Sequence, residues 1–210
     1  MKKIVKAFGA LLVVCIVAVS FAGCGSSSTS SDVSTWQQVS SPDSSLQLKM
    51  PSDWQSDPSL NSDASIAYGN NTTGHYFLVI EEDASSFDTG YTVQQYAQLV
   101  HDNMATALDN PTISDVATSD TLDGGYQFDM SGITQDVQVH FMANFIENDN
   151  TFYQLIGYCQ DSDYTATLPD FNNVFKSVSF TDASPNPGDT TSSASDSSAI
   201  PSDDTSSSGD

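Results

Sequence analysis

One segment limits the fold of this chain more than any other, because it is apolar on both of its faces. In residues 152–159, Phe152, Ile156 and Tyr158 point one way along a strand, and Tyr153 and Leu155 point the other. Successive side chains of a strand alternate between the two faces of its sheet. A strand that is apolar on both faces belongs in the middle of a sheet, with a layer of structure above and below it.

The rest of the pattern supplies neighbouring strands and two covering layers. Alternating runs predict strands at 46–50, 66–68, 76–80, 113–116, 126–130 and 137–145, with turns at 70–74, 123–125 and 147–150. Residues 92–108 carry a helical apolar stripe that starts at the cap residue Thr92. A second helix is predicted at 164–177, and Pro169 is expected to break or start it. Tight turns indicate antiparallel strands, so the prediction is an α+β fold, an antiparallel β-sheet sandwiched between helices.

The N-terminus has the layout of a secretory signal. Lys2, Lys3 and Lys6 are followed by an uncharged, mostly apolar run over residues 7–23, somewhat shorter than the about 20 residues that a spanning helix needs. The sequence FAGC at 21–24 resembles the lipobox of bacterial lipoproteins, in which small residues precede a cysteine that receives a diacylglyceryl group. This predicts a signal peptide over 1–23 and acyl chains such as palmitate on Cys24. The alternative is an ordinary cysteine at the end of a membrane helix.

Composition divides the remainder into three parts. A Ser-rich tether is predicted over 24–34, one domain over 35–181 that holds both tryptophans and all eight tyrosines, and a disordered acidic tail over 182–210. All 27 acidic residues follow Cys24, while only Lys49 and Lys176 of the five lysines do, so the mature chain has a net charge of −25. Such a surface repels nucleic acid, disfavours lying flat on anionic lipid and attracts cations or basic partners.

Three motifs in the domain resemble the PsbP-like family, which includes small lipoproteins of Gram-positive bacteria. They are LQLKMPSDW at 46–54, YTVQQYA at 91–97 and FNNVFKSVSF at 171–180. The resemblance implies an α/β/α sandwich with a central antiparallel sheet, and members serve as accessory or binding proteins. It also implies a Gram-positive source, with the protein anchored through Cys24 on the extracytoplasmic side of the cell membrane.

The residues that carry chemistry in other proteins form no recognised motif here. His75, His101 and His140 lack metal-ligand spacing, and we expect each to be a partly exposed surface histidine. Cys159 falls in the central strand and is expected to act as a small hydrophobe. Acidic clusters at 81–83 and 161–163 offer at most a weak Ca²⁺ site, because neither has the spacing of a dedicated calcium loop. We predict no cofactor, no metal site and no catalytic residue.

Aromatic residues near loops are the remaining candidates for a binding site. Trp36, Trp54 and Tyr68 are predicted to line a ligand groove, or else to close the edge of the core, with Trp54 as a structural corner. The sequence therefore predicts a non-enzymatic binding or accessory module of the cell envelope, with an envelope protein or small ligand as its partner. The alternatives are an envelope hydrolase that uses a pair of carboxylates, and an acidic cation-binding protein.

Overall fold

The computed structural model describes residues 32–181. The predicted signal peptide, Cys24, most of the tether and the tail at 182–210 lie outside these residues. The strands are β1 (Gln37–Ser40), β2 (Leu46–Met50), β3 (Gln55–Ser56), β4 (Ala64–Asn70), β5 (His75–Asp83), β6 (Asp109–Ile113), β7 (Ala117–Thr118), β8 (Tyr126–Thr134), β9 (Val137–Asn148), β10 (Thr151–Gln160) and β11 (Ser179–Phe180). The helices are α1 (Val93–Ala107) and α2 (Tyr164–Lys176), with single 3-10 turns at Val33–Thr35, Ala84–Ser86 and Asp161–Asp163. Between residues 32 and 181, neither helix has the length and apolar character needed to cross a bilayer.

Eight of the strands form one antiparallel sheet around β10. Their order is β3-β4-β5-β10-β9-β8-β6, and β7 also pairs with β8. Every residue of β10 except its first and last is buried, which confirms the central strand predicted from its two apolar faces. Asp149 and Asn150 join β9 to β10, and both have positive φ (47° and 60°), as a two-residue turn between twisted antiparallel strands requires.

The first helix begins at the predicted cap. Thr92 Oγ1 accepts a hydrogen bond from the Gln95 N–H at 3.3 Å, and Gln95 Oε1 accepts one from the Thr92 N–H at 2.9 Å. This reciprocal pair satisfies two backbone donors that a helix start otherwise leaves free. The helix then packs its apolar stripe on one face of the large sheet, with four buried residues: Tyr96, Ala97, Val100 and Met104.

The opposite face of the large sheet is covered by α2 and by a second, three-stranded sheet. This sheet has the order β1-β2-β11, and both pairings are antiparallel. Its inner side chains Val39, Leu48 and Met50 join Phe171 and Phe175 of α2 in a core distinct from the one under α1. The α/β/α sandwich is confirmed. The separate small sheet was not predicted, because residues 46–50 read as one more strand of a single sheet.

Pro169 does not break α2, and this part of the prediction was wrong. The helix runs continuously from Tyr164 to Lys176 with Pro169 inside it. A proline removes the hydrogen bond to the carbonyl four residues earlier, here that of Thr165. Both Pro169 and Thr165 are exposed, so the unpaired carbonyl lies on the side of the helix that meets water.

Candidate functional site: ionisable side chains beneath α2

Three side chains with potential chemistry lie side by side on the face of the large sheet that α2 covers. Cys159 of β10 pairs with His140 of β9. The pairing of Tyr158 with Tyr76 places Cys159 next to His75 of β5 when the same register is continued by one step. Neighbouring strands are about 4.8 Å apart, so the three form a row across the end of the sheet. This row was not predicted from the sequence.

His140 is held between two carboxylates and an aromatic ring. Its Nδ1 donates to Asp161 Oδ1 at 2.9 Å, and its Nε2 forms an ion pair with Asp129 Oδ1 at 3.7 Å, too long for a hydrogen bond. The ring stacks on Tyr164 with 3.4 Å between centroids, and the Tyr164 hydroxyl donates to Asp129. Burial alone would lower the pKa of His140, but Asp129 and Asp161 together raise it above its ordinary value.

His75 is buried and uncharged, so the expectation of a surface histidine was wrong at this position. Its Nε2 lies 3.0 Å from Thr167 Oγ1, and that hydroxyl donates its own hydrogen to the Asp163 carbonyl oxygen at 3.0 Å. The Thr167 oxygen is therefore the acceptor, which assigns the ring hydrogen of His75 to Nε2. Burial lowers the pKa of His75 below its usual value.

Cys159 lies between the two histidines without being activated by them. The side chain is buried, as predicted, and burial together with the charge of Asp163 raises the pKa of its thiol to about 12. A nucleophilic cysteine requires a lowered pKa and a positively charged neighbour. This thiol stays protonated at neutral pH and packs as part of the core.

The row fastens the start of α2 to the large sheet. Asp161, Tyr164 and Thr167 come from the 3-10 turn and first two turns of α2, and each contacts a histidine or its partner on the sheet. Within residues 32–181, no group of three His, Cys, Asp or Glu side chains is arranged to hold a metal ion. The arrangement is suited to holding the helix in place. His101 lies apart from this row, on α1, where its Nδ1 is 2.8 Å from Asp102 Oδ1.

Among residues 32–181, three carboxyl groups have a pKa raised by burial, but they are not gathered in one place. Glu81 and Glu82 are consecutive on β5, so their side chains leave opposite faces of the sheet. Asp170 lies on α2, is buried, and has its pKa raised further by the charge of Asp53; its Oδ1 has no hydrogen-bond partner among the described atoms. Asp53 accepts a hydrogen bond from the Asn70 side chain at 2.7 Å.

The three aromatic residues proposed as a groove belong to one cluster under α2. Trp36 and Trp54 are buried, with only 7% and 3% of their surface exposed, and Trp54 meets Phe171 edge-on at 6.1 Å. Tyr68 is half-buried and packs against the same cluster. The two tryptophan rings are thus covered by core packing. The corner predicted at Trp54 is pinned by the Gln37 side chain, which donates to the Trp54 carbonyl oxygen at 2.7 Å.

No model of a known protein family matches the chain, and no curated protein matches it in sequence. Solved structures do resemble it. The cyanobacterial PsbP protein (CyanoP) of Synechocystis has a TM-score of 0.50 at 12% identity, covering 76% of this chain and 98% of its own. The Saccharomyces cerevisiae Ran-binding protein Mog1p has a TM-score of 0.51 at 9% identity, covering 69% of this chain and 95% of its own. LpqN, a Mycobacterium tuberculosis protein involved in cell envelope biogenesis, has a TM-score of 0.47 at 18% identity, covering 70% of this chain and 91% of its own. At these identities the likeness concerns the fold alone, and residues 32–181 have the PsbP-like fold that Mog1p shares.

Proposed function

We propose that this chain is a lipid-anchored protein of the cell envelope that acts by binding a partner and not by catalysis. The lipid is on Cys24, and the PsbP-like domain is displayed on the extracytoplasmic side of the membrane of a Gram-positive bacterium. The partner is an envelope protein or a ligand of the envelope.

The observation that carries the binding role is the state of the reactive side chains beneath α2. Cys159 is a protonated core thiol, and His75 is a buried neutral hydrogen-bond donor. The Nδ1 of His140 is hydrogen-bonded to Asp161, and its Nε2 is buried beside Asp129, out of reach of a substrate. A catalytic base or nucleophile must keep a free atom within hydrogen-bond reach of a substrate. These groups instead hold α2 on the sheet, as expected of a rigid scaffold that presents a surface.

The anchor is supported by chemistry at the N-terminus. The basic residues, the apolar run and the small residues before Cys24 are the parts that a lipoprotein signal needs. A single acyl chain binds a membrane only reversibly, whereas two or more hold a protein stably, at about 0.8 kcal/mol per buried CH₂. A diacylglyceryl group supplies two chains, enough for the acidic domain over residues 35–181 to remain on the surface.

Fractionation of cells tests this proposal. Wild-type protein should sediment with membranes and be degraded by protease added to cells whose wall has been removed. Cys24→Ser should leave the membrane fraction yet keep the domain folded, because Cys24 lies eight residues before the first described residue, Asp32. Protection of the wild type from external protease, or retention of Cys24→Ser in the membrane, would contradict the anchor.

A hydrolase is the second candidate, and one observation favours it. The contact between Trp54 and Phe171 brings the preceding residues Asp53 and Asp170 towards each other, and Asp170 has the raised pKa of a general acid. Asp170→Asn is nearly isosteric and should abolish turnover of envelope polymers by purified protein if this pair is catalytic. Our proposal expects no turnover in either protein, and expects Asp170→Asn to capture the same envelope partner as the wild type.

A further inference from the structure

The outer face of the three-stranded sheet differs in charge from the rest of the domain. Because side chains alternate along β1, β2 and β11, the inner ones are buried and the outer ones face solvent. The outward side chains of this face are Gln38, Ser40, Gln47, Lys49 and Ser179. None is acidic, in a chain with 27 acidic residues. The acids nearest to these strands along the chain are Asp182, two positions after β11, Asp43 in the turn between β1 and β2, and Asp53, three positions after β2; all lie beyond the strand ends.

Both lysines that follow Cys24 lie at this face. The Lys49 N–H donates to Ser177 Oγ at 2.8 Å, and the Ser177 hydroxyl is 3.4 Å from the Lys49 carbonyl oxygen. Lys176 immediately precedes Ser177, so the two lysines flank one contact between β2 and the end of α2. Both are exposed, and neither forms a salt bridge with any residue between 32 and 181. Two lysines without a salt-bridge partner among residues 32–181 therefore flank one contact on a strongly acidic protein.

The chain also enters the domain at this face. Eight residue steps separate Cys24 from Asp32, a span of at most about 29 Å in any conformation. The first regular structure after Asp32 is the 3-10 turn Val33–Thr35, and the next is β1, an edge strand of the three-stranded sheet. A lipid on Cys24 therefore holds the bilayer within reach of the small sheet.

We propose that the outer face of the three-stranded sheet, with Lys49 and Lys176, is turned towards anionic lipid headgroups when the protein is anchored. The inference rests on the proposed lipid anchor and adds an orientation to it. Surface charges act over a Debye length of about 8 Å at physiological salt. The few side chains nearest the bilayer therefore decide the orientation, and the net charge of the whole domain does not. The composition predicts that the protein avoids anionic lipid, and the proposal adds that this one face can approach it.

The expected bias follows from the two charges. A lysine near an anionic surface gains about 1 kcal/mol, or roughly a fivefold preference, so two lysines favour this orientation by about 30-fold over one in which neither approaches the bilayer. Acidic residues on the remaining surface add to the bias, because headgroups repel them.

Energy transfer from labelled protein to labelled headgroups tests the orientation. Ser40→Cys places a donor on the proposed face, and Asn103→Cys places one on the exposed side of α1, across the sandwich. Cys24 is acylated and Cys159 is buried, so the new thiol takes the label. Acylated protein is reconstituted in vesicles of equal parts phosphatidylglycerol and phosphatidylcholine that carry an acceptor on a minor lipid. We expect markedly stronger transfer from position 40 than from position 103.

Charge variants separate this inference from the anchor itself. The double variant Lys49→Gln with Lys176→Gln should remove most of the difference in energy transfer between positions 40 and 103. The double variant Lys49→Arg with Lys176→Arg, which keeps both charges, should keep that difference. Equal transfer from both positions in wild-type protein on anionic vesicles would overturn the orientation while leaving the anchor intact. A difference that persists in the Gln variant or in pure phosphatidylcholine would also overturn it, because the lysines would then not be its cause. Wild-type protein that fails to float with vesicles of either kind would overturn the anchor, and the orientation with it.

Discussion

The packing of α2 on Gly157 of the large sheet makes a quantitative prediction. Gly157 lies in the middle of β10, directly beneath the ring of Phe171. A Cβ added there would stand 2.7 Å from Phe171 Cδ1, 2.9 Å from Cγ and 3.0 Å from Cε1, against an ordinary contact of 3.4–4 Å. Gly157→Ala therefore requires the ring to withdraw by roughly 0.7 Å, in a packed core where such overpacking costs about 1–3 kcal/mol.

The ring has little room to withdraw. Phe171 is fully buried and abuts Trp54 on one side, so a shift is transmitted to the corner that Trp54 forms. Alanine is favoured over glycine in a strand by about 0.5–1 kcal/mol, which offsets part of the strain. We expect a net loss of about 1 kcal/mol in the free energy of unfolding, or a fall of roughly 2–4 °C in Tm.

A double-mutant cycle shows whether the clash is the cause. Urea unfolding of the soluble chain starting at Gly25 gives the free energy for each variant. Phe171→Ala removes Cγ, Cδ1 and Cε1, the three atoms that the new methyl group would meet, so the pair Gly157→Ala and Phe171→Ala should be more stable than the sum of the single effects, by about 0.5 kcal/mol or more. The control is Phe175→Ala, one turn further along α2, which should add to Gly157→Ala without coupling. Additivity in both pairs would refute this reading of the helix–sheet contact.

Four further predictions concern the ionisable groups. Because the folded pKa of His140 is raised, its stabilising effect is complete below the unfolded value of about 6.5 and is lost as the pH rises through the folded value. His140→Gln should therefore destabilise by about 1–3 kcal/mol at pH 6 and by less at pH 8.5 in urea titrations. His75→Gln should show the opposite trend. Because the folded pKa of His75 is lowered, the stability that neutral His75 contributes to the folded protein is lost as the pH falls below 6.5, so the substitution costs less at low pH. If the loss of stability changed with pH in the same direction for both variants, both assignments would be contradicted. The Cys159 thiol, with a pKa of about 12 against an ordinary 9.0, should react with a disulfide reagent at pH 8 at least about a thousandfold faster in urea than in buffer, and a fast native reaction would contradict its burial. Calcium chloride should raise Tm no more than sodium chloride of equal ionic strength, and a larger effect of calcium would favour the cation-binding alternative.

Local signals predicted the elements well, because each depends on neighbours in sequence. The cap at Thr92 and the alternation in β8 and β9 are short-range patterns, and both were found where predicted. The strand β1 escaped prediction because only Val39 of its four residues is buried, which leaves no periodic pattern to detect. The small sheet that contains β1 is completed by β11, which pairs with β2 across more than 130 positions of sequence.

The row beneath α2 was missed for a similar reason, although one part of it was within reach of the sequence. A two-residue turn at Asp149 and Asn150 fixes the register of β9 against β10, and counting outwards from that turn pairs His140 with Cys159. His140 was expected to be a partly exposed surface histidine, and it is half-buried. The second covering layer shields this face of β9: Met142 joins the core under α2, and Asn144 accepts hydrogen bonds from Ser119 and Thr121. The contacts from Asp161, Tyr164 and Thr167 depend on how α2 docks, and local periodicity does not contain that information.

The proposed anchor and location both depend on the covalent state of Cys24, which mass spectrometry of the N-terminal peptide measures. Protein extracted from cell membranes with detergent and digested with a protease should yield a peptide that begins at Cys24 and carries a diacylglyceryl group, with nothing preceding it. Its mass should fall by the mass of the acyl chains after mild alkaline hydrolysis of their ester bonds. A peptide that retains residues before Cys24, or one that begins at Cys24 with a free thiol, would contradict the lipid anchor and the location proposed from it.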